Sequence, residues 1–200
     1  GFMPEGLPDF SDGFDVYAGW EITRKGDNSL TPEQNKLLAY GAPLFLYNDD
    51  NVDSLESTAG TDTLKEMLEE WWEVTDRKSA LETISWLLNE GQHAGADPAL
   101  AEIRQRGIEA ITEEEKADED SKIGDAFTIA EFVMGVNETT EADLPETVLA
   151  WDLVRAVNMA RWAFICGYIN EDEMWEAIRT TAGIAKESFS SWEEYGNSFA

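Results

Sequence analysis

Hydrophobic residues along this chain recur at helical spacing. Ala80, Ile84, Leu87 and Leu88 fall on one side of a 3.6-residue turn, as do Ile123, Phe127, Ala130 and Met134. Start and stop signals bracket these stripes. Thr31-Pro32-Glu33-Gln34 offers a hydroxyl cap, a proline at the first helical position and a Gln three residues after the cap, which predicts a helix from there to about Ala42, before Pro43. Segments 61–74 and 75–91 follow, the second capped by Thr75 or Asp76 and stopped by Gly91. Asp97 as cap with Pro98 in the first turn opens another, and the charge run 113–122 reads as an exposed turn or frayed helix end. Asn170-Glu171-Asp172-Glu173 and Ser190-Ser191-Trp192-Glu193 match the capping box, in which the cap and the Glu three residues later satisfy each other's amides. No segment alternates as a strand would. The pattern predicts an all-α fold, a compact single-domain bundle of roughly seven to nine helices. Its expected layout is an irregular N-terminal arm over 1–30, packed on the body through Phe10 and Phe14, and one helical domain over 31–200.

One helix stands apart from the others. In AWDLVRAVNMARWAFICGY, 150–168, a wheel at 100° per residue puts Leu153, Ala156, Val157, Ala160, Ala163 and Phe164 on one arc. The other half holds Asp152, Arg155, Asn158 and Arg161, with Val154, Met159, Trp162 and Ile165 interleaved. A helix apolar nearly all round is a buried helix, so the stretch near 147–166 is expected at the centre of the bundle. Its polar residues must then be paired or line a cleft. Two arginines face one aspartate, so an acid from another element should answer the surplus; Glu173, Glu176 and Glu194 are the candidates by nearness in sequence. Two readings follow. The set is either a structural network fixing how helices dock, or the floor of a pocket whose guanidinium forks grip a carboxylate or phosphate.

Charge narrows the partners. The formal net charge is −28, which repels nucleic-acid phosphates and anionic membrane surfaces and attracts a basic protein. A hydrophobic content of 42% with eight Trp and nine Phe supplies a core despite that charge. No apolar run reaches the ~18 residues that a membrane span needs. The opening Gly-Phe-Met reads as a trimmed start; without an upstream signal, the expected compartment is the cytoplasm.

Candidate chemistry is thin. Asp49, Asn51 and Asp53 have the opening rhythm of a calcium loop, but Ser54 stands where the turn glycine belongs and Gly60 where the bidentate Glu belongs, so an EF-hand is rejected. His93 would need Glu90 or Asp97 to hold a metal, and Gly91 breaks the helix between the first two. Cys166, the single cysteine, sits among apolar residues as a buried thiol would. Neither a nucleophile elbow nor a phosphate-cradling glycine loop occurs. No catalytic residue, metal or cofactor is expected.

The carboxy-terminal third resembles a bacterial family designated domain of unknown function 1266. The resemblance rests on a D-x-x-R-x-x-N-x-x-R helix at Asp152, Arg155, Asn158 and Arg161, on Gly167-Tyr168-Ile169 and Trp175, and on a closing Ser191-Trp192-Glu193-Glu194-Tyr195-Gly196. Upstream, EEWWEVTDRKSALETISWLLNEGQH is similar to the family's first motif, with Gln92 inserted between Gly91 and His93. The likeness covers roughly 69–93 and 147–199 and implies fold and identity, with no chemistry attached. It adds Trp192 and Glu194 to the polar set as candidate binding or network residues. The function expected is that of a non-enzymatic protein-binding module for a basic partner; the alternative is a small-molecule receptor or enzyme using Asp152, Arg155, Asn158 and Arg161 as its pocket floor.

Overall fold

The structure, a computed structural model, describes residues 21–137 and 139–199. The predicted arm contacts of Phe10 and Phe14 lie outside those residues. Among the described residues the regular structure is helical and no strand occurs, as the hydrophobic spacing predicts. The α-helices are α1 (Pro32–Leu38), α2 (Ala42–Tyr47), α3 (Thr61–Trp72), α4 (Arg77–Asn89), α5 (His93–Arg106), α6 (Glu113–Ala117), α7 (Ile123–Asn137), α8 (Leu149–Ile165), α9 (Glu171–Ser188) and α10 (Trp192–Phe199).

They gather in two compact bodies. The first comprises 21–91 and 152–190. Its core joins Leu38, Phe45, Leu64, Leu68, Ala80, Ile84 and Leu87 to Val157, Ala160 and Ala163 of α8 and to Met174, Trp175 and Ile178 of α9. The second comprises 92–151 and 191–199. There Ala96, Leu100 and Ile103 of α5 pack on Ile123, Ala126 and Ala130 of α7, with Ile111, Leu144 and Val148 closing the cluster.

Several caps follow the sequence closely. Thr31 and Gln34 form a reciprocal capping box, as do Asn170 and Glu173. Asp76 caps α4 through Ser79, and Gly91 follows that helix at φ +52°, where a side chain is disfavoured. Thr112 and Glu115 box α6, so the acidic run starts as a short helix; Glu115 and Glu102 both take Arg106.

Three expectations shift. The first helix ends at Leu38, and after a 3-10 turn at Ala39–Gly41 the next begins with Pro43 in its first turn. Proline lacks the N–H that a first turn leaves unbonded anyway, so it starts a helix as readily as it ends one. Likewise α5 begins at His93, before Asp97 and Pro98. Asp97 therefore does not cap its own helix; its carboxylate accepts from Thr147 Oγ1 (2.6 Å) and Val148 N (2.8 Å), just ahead of α8. The last helix is capped one residue later than the sequence suggests, by Ser191 Oγ, which accepts from Glu194 N at 3.0 Å.

Candidate functional site

Burial along α8 is nearly continuous. Leu153, Val154, Ala156, Val157, Met159, Ala160 and Ala163 are fully enclosed, as expected of a helix apolar on most sides. Asp152, Asn158 and Arg161 are enclosed with them, at 0% exposure each, and the Arg155 side chain is 11% exposed. These four belong to the first body.

Arg161 is answered by Asp50, across a separation of 111 residues. Its Nη1 and Nη2 donate to the two carboxylate oxygens at 3.1 and 3.4 Å, Nη2 also donates to the Glu56 carbonyl at 2.7 Å, and Nε donates to the Leu55 carbonyl at 3.3 Å. The guanidinium carbon lies 4.6 Å from the Phe45 ring centre, a cation–π contact. Asp50 in turn accepts from Ser57 Oγ (2.7 Å) and from the backbone amides of Asn51 and Thr58, both at 2.8 Å. Asn51 Nδ2 donates to the Glu56 carbonyl at 2.9 Å. Loop 48–60 is thus wrapped around a guanidinium. The cation this loop holds is an arginine of α8, and its acceptors are Asp50, Leu55 and Glu56, none of them a residue of the calcium-like rhythm. Within that rhythm the Asp49 carbonyl accepts from Thr58 Oγ1, Asn51 donates as above, and Asp53 accepts from the amides of Lys25 and Gly26.

Arg155 donates to Asp152 three residues away and lies 5.5 Å from the Trp72 ring centre. Burial pulls the Arg155 and Arg161 guanidinium groups below the ordinary arginine value, and the facing carboxylates of Asp152 and Asp50 oppose that shift. Both remain charged, because arginine starts so far above neutrality. Asn158 Nδ2 donates to the carbonyls of Val154 (2.8 Å) and Gly41 (3.1 Å), stitching α8 to the turn between α1 and α2. Gly41 is required there: a Cβ would sit 2.7 Å from Val157 Cγ1 and 2.9 Å from the Phe45 ring.

Two of the acids proposed from nearness in sequence, Glu173 and Glu176, are placed otherwise. Glu173 binds Arg77 of α4 and caps α9, and Glu176 is exposed. Trp192 and Glu194 stand at the start of α10 in the second body, both exposed, with Trp192 edge-on to Tyr195 at 5.9 Å. In that body Ser198 Oγ accepts from Ala150 N at 3.1 Å and donates to the Thr147 carbonyl at 2.8 Å, and Phe199 packs on Trp151 at 5.2 Å. Sequence reasoning missed Asp50, Trp72 and Gly41. The rhythm at 49–53 drew attention to the loop that carries the first, but not to Asp50 itself.

Among the described residues no group of three or more His, Cys, Asp or Glu side chains could hold a metal ion, and no helix is long and apolar enough to cross a membrane. Cys166 is buried at the end of α8, and burial raises its thiol above the usual range, against a smaller opposing effect of Lys65. Since the thiolate is the reactive form, a disulfide reagent is expected to label Cys166 at least about tenfold more slowly in the folded protein than in urea. Equal rates would show that this end of α8 opens freely.

No curated protein and no solved structure matches this chain. A family model does, and the bounds of its match take in 94–146, which the motif resemblance leaves uncovered. Matched over residues 67–200 by the model described as protein of unknown function DUF1266, the chain belongs to that family.

Proposed function

We propose that this protein is a non-enzymatic binding module whose partner is a basic protein, and that the polar set of α8 is the frame of the module and not its receptor site. The observation that carries this reading is the enclosure of Arg161. A guanidinium that grips a ligand must present free donors to a concavity. Arg161 directs its donors to Asp50, Leu55 and Glu56, all of the same body, and none of its surface is exposed. The formal charge of −28 supports the choice of partner, because it speeds encounter with cations and repels anions.

The reading is tested by titrating the protein, in calorimetry at low and at physiological salt, with a short Arg-rich peptide and separately with inorganic phosphate and citrate. Expected is saturable peptide binding that weakens as salt rises, with no heat from either anion. Saturable anion binding that is lost in a folded Arg155→Met variant, with none for the peptide, would establish the receptor reading instead.

A further inference from the structure

Tryptophan is seldom left in water, since burying its ring yields one of the largest gains available to a side chain. Trp71, at the last turn of α3, is 80% exposed, the most of any large hydrophobic residue described. Its neighbour Trp72 turns inward beneath Arg155. The interior of the first body takes Leu64 and Leu68 from α3 and stops short of Trp71.

The helical spacing sets what lies beside it. Residues three and four apart are neighbours on a helix surface, whereas adjacent residues diverge by more than a quarter turn. Met67 and Trp71 make one such pair, half-buried at Met67 and open at Trp71. Glu66 and Glu70, both exposed, make another. Beyond these the exposed arc continues with Asp62, Glu69 and Glu73 and a single basic residue, Lys65. Met67 lies four residues before Trp71 and three before Glu70, so one half-buried side chain borders both the exposed indole and the strip of carboxylates. Neither half would suffice alone: acids on a helix surface solvate the protein, and one surface aromatic needs no explanation. Together they have the two elements that recognise an arginine or lysine side chain, a π-face for the cation to cover and a carboxylate for its donors.

We infer that the α3 surface formed by Glu66, Met67, Glu70 and Trp71 is the docking site for a basic segment of a partner protein, with a cationic side chain laid over Trp71 and paired with Glu70. The inference rests on the reading of the chain as a module for basic partners and assigns that role to one helix. Charge complementarity selects this occupant over a second copy of the chain, which would bring a net charge of −28 against the same acids.

The test uses the Arg-rich peptide on the full chain and three variants: Trp71→Ala, Glu66→Gln with Glu70→Gln, and Glu114→Gln with Glu119→Gln as a control of equal charge on exposed positions of the second body. All four residues changed for charge are exposed, so melting should stay near that of the parent. Expected is binding about tenfold weaker for Trp71→Ala, about tenfold weaker for the α3 pair, and changed by less than about twofold for the control. Equal weakening by both charge pairs, with Trp71→Ala binding as the parent does, would overturn the inference and leave the module reading in place, since the field of the whole chain would then be acting. No binding of the peptide to the parent protein would overturn the module reading itself.

Discussion

Replacing Asp50 with Ala is expected to lower the folding free energy by about 4 kcal/mol, within the range of roughly 3–5 found when one partner of a buried ion pair is removed. The carboxylate has two roles at once. It neutralises Arg161, which is fully enclosed and would be left with the carbonyls of Leu55 and Glu56 and the Phe45 ring beside it, none of them an anion. It is also the acceptor for Ser57 Oγ and for the amides of Asn51 and Thr58, so its loss strips the loop of the group around which it turns. Arg161→Met should cost less, about 2 kcal/mol, because it leaves Asp50 with those three donors and an unbranched side chain in the space. Urea unfolding of both variants checks the order. If Arg161→Met proves the more damaging, the loop is organised by its own turns and the arginine holds it by packing.

That asymmetry also shows why part of the site was legible in the sequence and part was not. The burial of α8 could be read from the chain, because a wheel with apolar residues on nearly every side has no face to give to water. The need for a partner acid followed from the two arginines in it. Which acid answered did not, since Asp50 lies 111 residues away and nothing local distinguishes it from the many other carboxylates. Nearness in sequence pointed to Glu173, which local geometry assigns to the α9 cap and to Arg77. The loop around Asp50 did carry a signal, the alternation of Asp49, Asn51 and Asp53, but Asp50 stands between those residues and none of them binds Arg161. A metal-loop template tests such a rhythm against ions only, and here the charge arrives on a side chain. The shifted helix starts have a similar origin. Pro43 and Pro98 are compatible with both the end of one helix and the first turns of another, and tertiary contacts made the choice, as when Asp97 turned to Thr147 and Val148.

Gly91→Ala should be the most costly single-methyl change in the first body, at about 3 kcal/mol. Two penalties add. The residue follows α4 at φ +52°, where a Cβ costs roughly 1–2 kcal/mol. Its α-carbon also faces the Asp152 carboxylate so closely that an added methyl would run into both carboxylate oxygens, and overpacking of this kind adds roughly 1–3 kcal/mol. Asp152 has little room to yield, since it is fully buried and holds Arg155. Gly167 separates the two penalties: it has φ +77° and nothing within 4 Å of the added methyl, so Gly167→Ala should cost only about 1 kcal/mol. A double-mutant cycle tests the contact itself. Asp152→Ala removes the obstacle to the methyl, so Gly91→Ala should cost no more in that background than Gly167→Ala does in the parent, a coupling of about 2 kcal/mol. Full additivity in urea unfolding would mean that α4 ends clear of α8 at this point, and that Gly91 serves only the turn.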